Sequence, residues 1–107
     1  MTWNIDDIVA VFGRVHPPAV ELVRALVSEG GRASPDRLRN LMRRSPNGLR
    51  QLLTHAFAEV TGHVLPGQQL VVVRRAPDPR NSPITEYRLA EGTLELAAAA
   101  LERFDST

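Results

Sequence analysis

Apolar side chains recur at helical spacing along most of the chain, and only between residues 68 and 89 does the pattern shorten to that of strands. Ile5, Ile8, Val9 and Phe12 predict a first helix over 4–13, with Asn4 as cap, Asp6 and Asp7 at the positive end and Gly13 as stop. His16-Pro17-Pro18 then breaks the chain. Val20, Val23, Leu26 and Val27 form the stripe of a second helix over 18–29, ended by Gly30-Gly31. Ser34-Pro35-Asp36 is a helix start, with serine capping and proline at the first helical position, and it opens a short third helix over 34–43. Leu38, Leu41 and Met42 are its inward residues. Ser45-Pro46-Asn47 repeats the signal and opens a fourth helix over 45–61. Its apolar face is Leu49, Leu52, Leu53, Ala56, Phe57 and Val60, and Gly62 stops it.

Leu70-Val71-Val72-Val73 is an unbroken aliphatic run, and 83–89 alternates, with Thr85, Tyr87 and Leu89 on one side and Ile84, Glu86 and Arg88 on the other. Between them Ala76-Pro77-Asp78-Pro79-Arg80-Asn81-Ser82 is dense in turn residues, so 68–89 reads as a hairpin with a long tip. A last helix over 92–104 carries Leu94, Ala97, Leu101 and Phe104 on one face. At 107 residues, with neither repeat nor linker, the expectation is one domain over 1–107, α+β and mostly α.

Charge adds a direction to this plan. All 13 basic residues are arginine, as fits a GC-rich bacterial genome, and the net charge is only +1. The distribution is uneven. Residues 32–50 hold six arginines against Asp36 alone, residues 74–83 hold Arg74, Arg75 and Arg80 against Asp78, and both ends of the chain are acidic. A basic middle between acidic ends points to a polyanionic partner.

Composition removes several classes of function. With 0 cysteines there is no disulfide, thiolate metal site or cysteine nucleophile, which fits a cytoplasmic protein. The longest aliphatic run, Leu96 to Leu101, is too short to span a bilayer, and Asp6 and Asp7 without a basic leader do not make a signal peptide. No triad, carboxylate pair or glycine-rich phosphate loop is visible, so neither an enzyme nor a cofactor is expected. His55, Glu59 and His63 are spaced by four, but Gly62 ends the helix before His63, so no metal site is expected.

Only about three residues, Arg43-Arg44-Ser45, join the third and fourth helices. That is helix-turn-helix spacing, and the hairpin that follows would be a wing. Residues 18–90 resemble a winged helix-turn-helix domain. The stretch Val73-Arg74-Arg75-Ala76-Pro77-Asp78-Pro79-Arg80, followed by Tyr87-Arg88-Leu89-Ala90-Glu91-Gly92, resembles the wing and following helix start of MarR-type bacterial regulators. The resemblance implies that Asp78 braces the wing tip and Arg80 probes the minor groove. A second resemblance is to the first winged helix of the MAGE family, carried by the long helix ending near Phe57, then Gly62-His63-Val64-Leu65 and the closing Tyr87-Arg88-Leu89. That likeness, shared with winged-helix subunits of chromosome-condensing complexes, implies a grip on protein partners without a DNA role.

The fold class expected is therefore a winged helix-turn-helix with a two-stranded hairpin wing and flanking terminal helices. On the 45–61 helix, Asn47, Gln51, Thr54 and Ala58 oppose the apolar stripe, flanked by Arg50 and His55. Asn and Gln suit adenine, Arg suits guanine, and Thr offers a hydroxyl and a methyl, so Asn47, Arg50, Gln51 and Thr54 are the candidate base readers. Arg37, Arg39, Arg43, Arg44, Arg74 and Arg75 are candidate phosphate contacts, although Arg74 and Arg75 point to opposite sides of their strand. Some of these arginines are expected to pair with Asp36, Glu59 or Glu86 instead. Leu94, Ala97, Leu101 and Phe104 are the candidate dimer stripe, because helix-turn-helix proteins commonly read two half-sites as dimers. The expectation is a small bacterial transcription regulator bound to double-stranded DNA as a homodimer, associated with the nucleoid.

Overall fold

The computed structural model describes residues 4–62, 69–77, 80 and 83–106. Helix α1 spans Ile5–Phe12, and the Asn4 side chain accepts the Asp6 amide at 2.8 Å, as the cap signal implied. Helix α2 spans Pro17–Ser28. Its end is a Schellman turn: the Gly31 amide donates to the Leu26 carbonyl at 2.8 Å and the Gly30 amide to the Val27 carbonyl at 3.2 Å. Gly30 sits at φ 78°, a conformation that L side chains rarely adopt.

A two-residue strand β1, Arg32–Ala33, follows directly. The sequence pattern did not predict it, since two residues carry no period. Helix α3 is Pro35–Met42, with Ser34 accepting the Arg37 amide at 3.1 Å. Arg43 ends α3 in the left-handed region at φ 58°.

Helix α4, Leu49–Thr61, begins four residues later than the sequence implied. The Ser45 hydroxyl does accept the Asn47 amide, at 3.2 Å, but it closes a turn rather than a helix cap. Gly48 at φ 82° breaks helical geometry there, so the α3–α4 connection is 43–48, about twice the expected length.

Strands β2, Val71–Arg75, and β3, Ile84–Leu89, form the expected hairpin ladder. The sheet has three antiparallel strands rather than two, in the order β1-β3-β2. Ala33 lies opposite Tyr87, and Val73 opposite Tyr87 on the other side, so these residues and Leu89 share the face turned to the core. Arg32, Val72, Arg74, Glu86 and Arg88 alternate onto the other face. A register shift puts Arg75 opposite Ile84 and leaves Thr85 as the extra residue. Thr85 is exposed and bonded to the Arg74 carbonyl, not aligned with Tyr87 and Leu89 as the simple alternation implied. Helix α5 spans Leu94–Asp105.

Helix α2 is the centre of the molecule: it packs on α1, α3, α4, α5, β1 and β3. That explains why Ala19, Leu22 and Ala25 are buried beside the predicted stripe, for a helix surrounded by neighbours must be apolar over most of its circumference. Two leucines placed inward by periodicity are exposed instead, Leu41 at 41% and Leu52 at 39%. Among the described residues no helix is long and apolar enough to cross a membrane.

Candidate nucleic-acid interface

The outer side of α4 is uncovered. Gln51, Leu52, His55 and Glu59 are exposed, whereas Arg50, Thr54 and Ala58 of the face that the sequence singled out are half-buried. Its only acid, Glu59, lies in the last turn at 3.5 Å from Arg14. The first half of the helix therefore presents neutral and basic polar groups.

The four candidate base readers differ in what the fold does with them. Gln51 is exposed on α4. Asn47 is exposed but belongs to the turn before α4, two residues ahead of Leu49, and not to the helix wheel. Thr54 is half-buried, and its hydroxyl donates back to the Arg50 carbonyl at 3.0 Å. Arg50 is half-buried, and its Nη1 donates to the Gln69 side chain at 3.2 Å. It also lies near the Tyr87 phenol: burial pushes Tyr87 up from the usual tyrosine range, and the Arg50 and Arg75 charges pull it back down. Arg50 is thus placed between α4 and the sheet. Sequence reasoning missed Gln69 and Tyr87 as its neighbours, because 19 residues separate Arg50 from Gln69.

The phosphate candidates also divide. Arg37 is paired with Glu29 at the end of α2, and that guanidinium holds the Glu29 carboxyl below the usual carboxylate range. Arg39 pairs with Asp36 at 2.9 Å. Arg74 lies 4.0 Å from Glu86, which Arg88 approaches at 3.4 Å. The expected acids Asp36 and Glu86 therefore do take arginines, while Glu59 takes Arg14 instead. Arg43 and Arg44, both exposed, make no ion pair among the described residues. Arg74 and Arg75 fall on opposite sides of the strand, one toward Glu86 and the other toward Tyr87. Arg80 is exposed; Asp78, the brace that the resemblance implies for it, lies outside the described residues, as does His63 of the discounted metal spacing.

The stripe assigned to a dimer seam is largely internal. Ala97 is fully buried and Leu101 is 5% exposed, both within the chain's own core. Phe104 meets Phe12 edge to face, ring centroids 5.7 Å apart, and only Leu94 is exposed. These residues read as an interface from sequence because an amphipathic terminal helix has the same pattern whether it packs on its own domain or on a partner.

No protein-family model, curated protein or solved structure matches the chain.

Proposed function

We propose that the chain is a small winged helix-turn-helix regulator that binds double-stranded DNA sequence-specifically, with α4 in the major groove and the β2–β3 hairpin as wing. The order helix, strand, helix, helix, hairpin supports the reading, with the first strand added beside the last. The observation that carries it is the 43–51 segment. Two exposed arginines, Arg43 and Arg44, unpaired among the described residues, stand in the turn before α4 together with exposed Asn47, and α4 itself presents Gln51 and carries no acid before Glu59. Phosphate clamping needs cations that carboxylates have not neutralised, and base reading needs uncharged donors and acceptors.

The second reading is a winged-helix protein-interaction module without a DNA role. Leu41 and Leu52, exposed on α3 and α4, favour it, since apolar side chains in the open suit a protein partner. A salt titration of binding to random duplex DNA decides between the two. The DNA reading expects log K to fall steeply with log salt, at a slope near −4 to −5 for about five phosphate contacts. No binding at low salt rejects it in favour of the second.

A further inference from the structure

A notch of about 340 Å³ lies between the α2–β1 turn and the β3–α5 turn, lined by Gly30, Gly31, Arg32, Arg88, Glu91 and Leu94 among others. Arg32 and Arg88 are register partners across the β1–β3 ladder, so both guanidinium groups rise from the same face of the sheet. Like charges directly opposite one another destabilise a ladder unless something compensates them. Compensation here is thin. Arg32 is exposed and makes no ion pair among the described residues. Arg88 shares one carboxylate oxygen, Glu86 Oε1, with Arg74, at 3.4 and 4.0 Å, and that buried oxygen accepts no hydrogen bond among the described residues. Glu91 stands at the rim and pairs with neither arginine.

We propose that this notch is a phosphate-type oxyanion site, with Arg32 and Arg88 as the clamp. The planar guanidinium fork matches the oxygens of phosphate, and an anion between the two removes the repulsion that the register imposes. Gly30 and Gly92, at φ 78° and 77° with open space where a Cβ would stand, keep the walls low enough for a ligand to approach the backbone. The site lies at the base of β3, apart from the α4 surface, and its argument does not rest on the DNA reading. The phosphate group belongs either to a small phosphorylated metabolite or to a nucleic-acid backbone; the position at the strand's base favours the small ligand.

Calorimetric titration of the full chain with pyrophosphate at low salt tests this. The expected result is saturable one-site binding, weakened at least tenfold in Arg32→Gln and in Arg88→Gln and unchanged in Arg103→Gln, an exposed arginine outside the notch. Arg32 is exposed, so Arg32→Gln serves as the folded variant if Arg88→Gln disturbs the sheet. Absence of saturable binding overturns the site, and so does an equal loss in Arg103→Gln, which marks general charge attraction. Repeating the titration with saturating duplex DNA separates the two sources. Retained pyrophosphate binding supports a small-ligand site, whereas displacement by the duplex makes the notch a backbone contact and overturns the separate site. If the chain binds no DNA at all, the titration without DNA still decides the proposal.

Discussion

Arg24 grips Asp105 through both terminal nitrogens, Nη1 to Oδ2 at 2.7 Å and Nη2 to Oδ1 at 3.0 Å. This fork joins the central helix to the last turn of the chain. A hydrogen bond from Arg24 first, and its charge second, hold the Asp105 carboxyl below the usual aspartate range. Such a depressed group contributes stability that is present above its unfolded value, about 4, and is lost as pH falls through its folded value. Thermal unfolding at pH 6 and pH 3 checks this: the wild type is expected to lose more on acidification than Asp105→Asn. Both partners remain well exposed, so the difference is small and shrinks in concentrated salt.

Leu101 is expected to behave as a core residue. Leu101→Ala should cost about 2–5 kcal/mol in denaturant unfolding, and Leu101→Glu should fail to fold because it buries an unpaired carboxylate. A Leu101→Glu variant that folds as a stable monomer would return this residue to a seam between copies.

Tyr87 is the chain's one tyrosine, so its ionisation is read directly by ultraviolet absorbance. Burial raises it, and Arg50 is the larger of the two charges lowering it. Arg50→Gln should therefore move the titration to still higher pH. Because the folded value lies above the unfolded one, this tyrosine's contribution to stability is complete below about pH 10 and is lost as pH rises through the folded value. An unchanged titration in Arg50→Gln would detach Arg50 from the sheet.

Arg43→Ala and Arg44→Ala should each flatten the salt dependence of DNA binding by about one unit of slope, with sequence preference preserved. Filter binding at several salt concentrations checks it. Loss of preference without a change in slope would mean that these residues meet bases rather than phosphates.

Gln51→Ala should reduce discrimination between DNA sites by about 1–3 kcal/mol while leaving non-specific binding nearly intact. Selection from a random library, followed by competition between the best and a scrambled site, measures this. Equal losses in both would remove Gln51 from base reading.

The five helices and the hairpin were legible because each leaves a local mark: Asn4 and Ser34 as caps, Gly30 as a stop, Tyr87 and Leu89 alternating. What escaped depends on partners far away in sequence. Strand β1 exists only because Arg32 and Ala33 meet Arg88 and Tyr87, more than fifty residues on. The Ser45-Pro46 signal resembled that of Ser34-Pro35, yet Gly48 at φ 82° delays α4, and a sequence does not state a glycine's backbone angle. On the site, the charge block from 32 to 50 was visible, but which arginines are already neutralised was not. Glu29 and Arg37 meet only because α3 folds back on α2. Arg50 read as a groove contact on a helical wheel, and the wheel holds no information about Gln69 beside it.

The packing of Phe12 on Phe104 couples the folding of α1 to that of α5. Domains fold as their residues emerge, N-terminal parts first. Here the first helix waits for the last: α1 is available early, yet the ring that covers Phe12 lies within the final turn of α5. Asp6 waits in the same way for Arg103. A nascent chain therefore keeps part of the apolar face of α1 open until residues 103 and 104 have been made and α5 has docked.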